Sequence, residues 1–130
     1  MKATLITLAC AFIISGCSGS EPSDLTREIE RYPDVIGVKV TETGENVYNF
    51  DVTISSAYDT PERYADAWRV KGEDGTVYGV RELLHDHATE QPFTRSLNDV
   101  AIPEGTARVI VEGRDLVHGW GGETMAVELP

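Results

Sequence analysis

The three histidines of the chain are the residues best suited to chemistry at a metal ion. His85 and His87 are separated by one residue, so both imidazoles project from one face if the chain is extended there. His118 could complete a three-imidazole set suited to zinc or copper. Glu90 and Asp115 lie near them in sequence and could add a ligand or orient a ring. A His-x-His pair is a weak signal, so we favour loop histidines bonded to backbone and no cofactor, with zinc or copper as the alternative.

Two other side chains are of types that often contact ligands. Trp120 lies in the run His118-Gly119-Trp120-Gly121-Gly122, whose glycines predict a tight, exposed turn. Its ring could stack on a sugar or another apolar ligand, or it could cap the end of the core, which is the interpretation we favour. Arg95 could bind a carboxylate of a ligand, although pairing with a neighbouring acid is the simpler expectation in this sequence.

The sequence lacks the common motifs of covalent catalysis and phosphate binding. It has no Gly-x-Ser-x-Gly elbow, no phosphate-binding glycine loop and no cysteine placed as a nucleophile. Ser96 has no histidine at a spacing that implies a catalytic triad. We therefore predict that the protein is not an enzyme, and we assign no catalytic residue.

The N-terminal segment has the pattern of an export signal. Lys2 precedes an apolar run over residues 5–14, and small residues follow it. This run is shorter than the roughly 20 residues that a membrane-spanning helix needs. Its end, Ile14-Ser15-Gly16-Cys17, resembles the lipobox of bacterial lipoproteins, in which the cysteine is lipidated and becomes the mature N-terminus. An ordinary secretory signal with an incidental cysteine is the alternative.

The lipobox resemblance implies where the protein resides and what it touches. Residues 1–16 would be the signal peptide, Cys17 would carry acyl chains such as palmitate, and residues 17–23 would form a flexible tether. The partners implied are the lipid bilayer and, for the domain, an envelope protein. The location is the extracytoplasmic side of the cell envelope. Ser18 favours the outer membrane if the organism is Gram-negative, because an aspartate there holds enteric lipoproteins at the inner membrane.

Processing at Cys17 also removes the means of forming a disulfide. Cys10 is lost with the signal peptide and Cys17 is acylated, so the remaining 114 of the 130 residues have no cysteine pair. A chain of that length is sufficient for one domain with its own apolar core. We therefore expect the domain to be held together by packing alone.

The charge balance of the chain is strongly acidic. It contains 22 Asp and Glu residues against 11 Lys and Arg residues, a formal net charge of −11. The phosphate backbone of a nucleic acid repels such a surface, so we expect no nucleic-acid partner. Solubility is the simplest role for the acidic surface.

The elements that position these residues are mostly strands. A short helix is predicted over residues 24–32, capped by Ser23 or Asp24, and Pro33 ends it. Alternating apolar residues and short turns then predict an all-β domain over residues 24–130. We expect a seven-stranded antiparallel sandwich of immunoglobulin or fibronectin type III character, with a small barrel as the alternative. The predicted strands are 35–41, 47–54, 63–71, 76–84, 92–97, 107–113 and 123–129.

A second resemblance covers most of the predicted domain. The stretches 85–97 and 117–122, with Tyr64-Ala65-Asp66 and Trp68, look like a family of small exported bacterial proteins. The family has no assigned activity, so the resemblance implies a single exported domain and transfers no catalytic residue. We therefore predict a membrane-anchored binding or accessory module, and the alternative is a metal-binding lipoprotein that uses His85, His87 and His118.

Overall fold

The computed structural model describes residues 30–130, which form two antiparallel sheets. One sheet has three strands in the order β1-β2-β5, and the other has four in the order β4-β3-β6-β7. The described residues include no helix long and apolar enough to cross a membrane. The strands are β1 (Asp34–Gly44), β2 (Val47–Ser55), β3 (Ala65–Gly72), β4 (Val77–Glu82), β5 (Phe93–Ala101), β6 (Arg108–Asp115) and β7 (Gly119–Glu128).

The prediction of seven antiparallel strands is confirmed, with shifted ends. β5 continues to Ala101, four residues beyond its predicted end, and β7 begins at Gly119, four residues before its predicted start. Most of the helix predicted over residues 24–32 lies outside the described residues, and its last three residues are not helical. The signal peptide, Cys17 and the tether also lie outside the described residues.

The core lies between the two sheets and follows from the alternation in the sequence. Along β2, Tyr48, Phe50, Val52 and Ile54 are all buried, as their spacing predicts. Trp68 is fully buried on β3 and faces them from the other sheet. Burying a large apolar side chain contributes about 1.5–3 kcal/mol, so this layer accounts for a large part of the folding free energy. Met125 and Val127 of β7, and Leu129 just after it, pack against the same core.

Four chain segments meet at one end of the sandwich, which we call the loop end. It comprises residues 30–33, 56–64, 83–92 and 116–118. The strand register places them together, because Asp34 pairs with Ser55 and Ala65 pairs with Asp115. The start of β5 joins them, since Phe93 is the partner of Ile54 at the end of β2.

Candidate functional site

Asp59 is a buried carboxylate that connects two loops of the loop end. Its side chain has no exposed surface, and Oδ1 accepts a hydrogen bond from the backbone N–H of Ala65 at 3.1 Å. Oδ2 accepts one from the N–H of His87 at 2.9 Å. Burial raises the pKa of Asp59, and the amides of His87 and Ala65 oppose that rise. Asp59 therefore fixes the loop of residues 56–64 against the loop of residues 83–92.

Asp115 is a second fully buried carboxylate, and it organises the turn between β6 and β7. Oδ2 accepts hydrogen bonds from the backbone N–H groups of Val117 and His118, at 2.9 and 2.8 Å. Oδ1 lies 3.2 Å from Nε of Arg63. Burial acts to raise the pKa of Asp115, but the hydrogen bonds to its charged form outweigh burial, and the pKa is lowered.

Tyr58 lies between these carboxylates with its ring under a guanidinium. The Arg63 carbon Cζ is 4.1 Å from the centroid of the Tyr58 ring. The hydroxyl faces Asp115 without meeting hydrogen-bond geometry to any described residue. Burial and the negative charge of Asp115 raise the pKa of the phenol. The ring therefore acts as a packed support for the Arg63–Asp115 pair.

His87 is the most buried histidine of the chain, with 2% of its surface exposed. Its ring stacks on Phe93, with centroids 3.7 Å apart and an angle of 9° between the planes. Nδ1 is 3.8 Å from Oδ2 of Asp59, which is too long for a hydrogen bond. Burial lowers the pKa of His87, and the positive charges of Arg95 and His85 lower it further. The imidazole is therefore neutral at pH 7.

The structure brings two of the three candidate metal ligands together. The rings of His85 and His87 have centroids 4.8 Å apart, and Nδ1 of His85 lies 2.8 Å from the carbonyl oxygen of Asp86. His118 instead packs edge-on against Tyr32, at a centroid distance of 6.3 Å. Among residues 30–130, no three His, Cys, Asp or Glu side chains are grouped so that they could hold a metal ion. Zinc or copper binding by the histidines stays a prediction.

Arg95 has the acidic neighbour that its sequence context predicts. Its Nη2 lies 3.0 Å from Oε2 of Glu90, and both side chains are partly exposed. The guanidinium also lies over the Phe93 ring, 5.5 Å from the centroid. Arg95 thus caps the Phe93–His87 stack from the solvent side.

A pocket of about 170 Å³ opens beside this stack, and we call it the β4–β5 pocket. Arg81 contributes to it from β4, at the register position opposite Trp68. Sequence analysis did not single out Arg81, and the available signal was an arginine at an inward position of an otherwise alternating strand. The pocket is lined by Arg81, Glu82, Leu83, Leu84, His85, His87 and Arg95.

Trp120 lies on β7 and not in an exposed turn. The turn is formed by residues 116–118, and β7 begins at Gly119. The Trp120 ring has the guanidinium carbons of Arg69 and Arg114 at 4.0 and 5.1 Å from its centroid. It is therefore placed on the outer face of the four-stranded sheet, away from the core that we expected it to cap.

The glycines around Trp120 make room for the segment that precedes β1. A Cβ atom at Gly121 would lie 2.6 Å from the Tyr32 ring, and one at Gly122 would overlap the carbonyl of Pro33. Gly122 also has a φ of +85°, which disfavours any larger residue. A Cβ at Gly113 would lie 2.7 Å from the Pro33 ring. These three glycines form a seat for Tyr32-Pro33, which we call the glycine seat.

Two polar contacts hold the same segment on either side of the glycine seat. A side-chain nitrogen of Arg63 donates to the carbonyl of Glu30, and the N–H of Glu123 donates to Oδ1 of Asp34 at 2.9 Å. The segment before β1 is therefore fixed to β7 at residues 32–34 and to Arg63 at Glu30, the first described residue. Sequence analysis missed this arrangement, because the partners are about 90 residues apart.

Comparison with known proteins shows similarity to a relative in sequence and to a solved structure in fold. No family model matches the chain. A protein named "Putative lipoprotein" from Halomicrobium mukohataei is 38% identical, and the match covers 91% of this chain. The chain spans 59% of the length of that curated relative. A superoxide reductase (1Fe-SOR) from Giardia intestinalis is similar in structure, with a TM-score of 0.44, 15% identity and coverage of 71% of this chain and 95% of that one.

Proposed function

We propose that the protein is a lipid-anchored binding or accessory module of the cell envelope, attached through acylated Cys17. The observation that carries the proposal is the Ile14-Ser15-Gly16-Cys17 quartet at the end of a short apolar run. The relative from Halomicrobium mukohataei, which is named as a lipoprotein, supports it. Two or three acyl chains hold a protein at a bilayer firmly, since each buried CH₂ contributes about 0.8 kcal/mol.

The position of the proposed anchor in the chain favours one orientation of the domain on the bilayer. The described chain begins at Glu30, at the loop end, and 12 residues separate Glu30 from Cys17. Fully extended, those residues span at most about 40 Å. The loop end therefore faces the membrane in this proposal, and the hairpin of residues 72–76 points away. The strand order β4-β3-β6-β7 against β1-β2-β5 supports a sandwich of fibronectin type III character.

Mass spectrometry of the purified full-length product tests the anchor. The expected mass lacks residues 1–16 and includes acyl groups on residue 17. Cys17→Ala should leave an unprocessed chain without acyl groups, whereas Cys10→Ala is the matched control and should be processed normally. An unmodified Cys17 in the wild-type protein would show that the chain is not a lipoprotein.

Metal binding is the second candidate function, and the adjacency of His85 and His87 is the observation that favours it. Two imidazoles that lie this close in space can share one zinc or copper ion if a third ligand is supplied. Isothermal titration of the protein with each metal, repeated on His85→Ala and His118→Ala, tests this function. A site that uses all three histidines should be weakened by both substitutions, whereas a site on the 83–92 loop alone should lose affinity only with His85→Ala. No heat at micromolar metal would remove the metal function.

A further inference from the structure

The β4–β5 pocket lies where the edge strands of the two sheets approach each other. β4 is the edge of the four-stranded sheet and β5 is the edge of the three-stranded sheet, and the two strands are in contact. Arg81 is the direct cross-strand partner of fully buried Trp68, so its side chain leaves β4 on the inner face. The pocket is thus a gap at one side of the sandwich, and the side chain of Arg81 lies along it.

Three buried polar atoms near this gap have no hydrogen-bond partner among the described residues: two are donors, and the third is Nδ1 of His87, which can donate or accept. Nε of Arg81 is buried and has no hydrogen-bond partner within residues 30–130, and neither has the indole nitrogen of Trp68. Arginine and the tryptophan indole can only donate. A buried donor without a partner destabilises the fold, because it has lost its hydrogen bonds to water. A group that satisfies Nε of Arg81 must therefore present an acceptor lone pair.

The charges at the pocket favour a negatively charged acceptor. The guanidinium groups of Arg81 and Arg95 both line it and are positively charged. Glu82 also lines the pocket, and its carboxylate interacts electrostatically with Arg114 on the outer face of the sheet. Glu90 is 55% exposed and binds Arg95 from the solvent side. In a chain with a net charge of −11, the pocket concentrates positive charge.

The wall formed by residues 83–92 is fixed by hydrogen bonds. The Gln91 side chain accepts from the N–H of Ser56 at 2.7 Å and donates to the carbonyl of His87 at 3.0 Å. Asp59 holds the N–H of the same histidine. A wall held in this way costs little entropy to organise when a ligand binds.

We propose that the β4–β5 pocket binds a small oxyanion of the carboxylate or phosphate type, with Arg81 as its main ligand and Arg95 as the second. A guanidinium donates two parallel hydrogen bonds to either group. The volume of about 170 Å³ corresponds to about six water molecules at ~30 Å³ each. It lies below the roughly 300 Å³ at which sites for drug-sized ligands begin. The site is independent of the lipid anchor, although the proposed orientation also brings lipid phosphates near it.

Nuclear magnetic resonance of the full chain in maltoside micelles, which contain no phosphate, tests the proposal. Inorganic phosphate or acetate is added against sodium chloride of equal ionic strength. We expect a saturable shift of the side-chain Nε–H signal of Arg81 and of the backbone signals of residues 83–87. Arg81→Gln should weaken binding at least about tenfold, the lower end of the 1.5–3 kcal/mol for a charge-assisted hydrogen bond.

Arg108→Gln is the matched control. Arg108 lies at the opposite end of the sandwich, and its pairing with Glu73 is 3.7 Å long and exposed. This variant should bind as the wild type does. A third arm adds a short-chain phosphatidylglycerol to the micelles, so that binding only in this arm identifies the oxyanion as a lipid phosphate. No saturable shift in any arm, or shifts that Arg81→Gln leaves unchanged, would overturn the proposal.

Discussion

The buried carboxylates show how single residues hold the loop end together. Asp59 and Asp115 have fully buried side chains, and each accepts hydrogen bonds from groups on at least two segments. Hydrogen bonds to a charged group contribute about 1.5–3 kcal/mol. The environments differ, because burial dominates at Asp59 and raises its pKa, whereas hydrogen bonds outweigh burial at Asp115 and lower its pKa.

Replacing Asp115 with asparagine should lower the free energy of unfolding by about 3 kcal/mol at pH 7, because Arg63 then lacks its anionic partner. The pKa of Asp115 in the folded state lies below its ordinary value of 3.8. Its charge therefore stabilises the fold above about pH 4, and this contribution is lost as the pH falls through the lowered pKa. The difference between wild type and variant in urea unfolding should shrink correspondingly between pH 5 and pH 2.

Asp99→Asn is the control for this substitution. Asp99 is exposed and has a φ of +58°, a conformation that asparagine also adopts readily. It should change the unfolding free energy by less than about 0.5 kcal/mol. An Asp115→Asn variant whose deficit is equally large at pH 2 and pH 7 would contradict the ionic role.

At the scale of secondary-structure elements, the glycine seat joins the segment before β1 to β7, an edge strand of the four-stranded sheet. β1 and β7 are the edges of different sheets, and contacts between them close one side of the sandwich. The close approach requires glycine, because the carbonyl group of Pro33 and the ring of Tyr32 occupy the space of a side chain. The seat therefore fixes the segment before β1 to the four-stranded sheet.

Gly122→Ala should destabilise the fold and release this segment. The substitution adds a Cβ that overlaps Pro33 and also strains a residue whose φ is +85°. Strain of that kind costs about 1–3 kcal/mol. Trypsin should cleave after Arg31 faster in the variant than in the wild type, as followed by mass spectrometry of intact protein.

Gly105→Ala is the control that distinguishes the effect of backbone strain from the effect of the overlap with Pro33. Gly105 has the same φ of +85°, but a Cβ there would have no atom within 4 Å. It should cost only the backbone strain and leave cleavage after Arg31 unchanged. Equal cleavage in both variants would mean that the seat does not hold the segment.

Local patterns in the sequence predicted the elements, whereas contacts between distant segments were not predictable. The alternation from Tyr48 to Ile54 predicted the strand, its inward face and its place in a two-sheet fold, because period and burial are local properties. The run around Trp120 predicted a turn, since glycine signals backbone freedom without indicating what approaches the backbone. The seat for Pro33 depends on segments about 90 residues apart. Arg81 had only the signal of an arginine at an inward strand position, and its proposed role depends on β4 being an edge strand next to β5.

At the scale of the whole molecule, the anchor proposed at Cys17 and the fixed segment of residues 30–34 together favour one orientation. Residues 116–118 belong to the loop end, and the exposed Val117 should lie close to the bilayer. Glu104, in the turn between β5 and β6, lies at the opposite end. The acidic surface repels anionic lipid, so the remainder of the domain should stand clear of the headgroups.

Fluorescence quenching by brominated lipids measures this orientation. A dye on Val117→Cys should be quenched in vesicles that carry the anchored protein, whereas a dye on Glu104→Cys should not. Each variant has one reactive thiol, because Cys10 is removed and Cys17 is acylated in the proposed mature protein. Similar quenching at both positions would indicate that the domain tumbles freely on its tether.

The contact between Asp34 and the N–H of Glu123 also matters for self-association. Glu123 lies on an edge strand, and exposed edge strands offer unpaired N–H and C=O groups to other chains. Residues 32–34 cover that part of the edge strand and so make it less accessible to other chains. A protease that cut within this segment would therefore separate the domain from the anchor proposed at Cys17 and, at the same time, expose an edge strand to pairing with other chains.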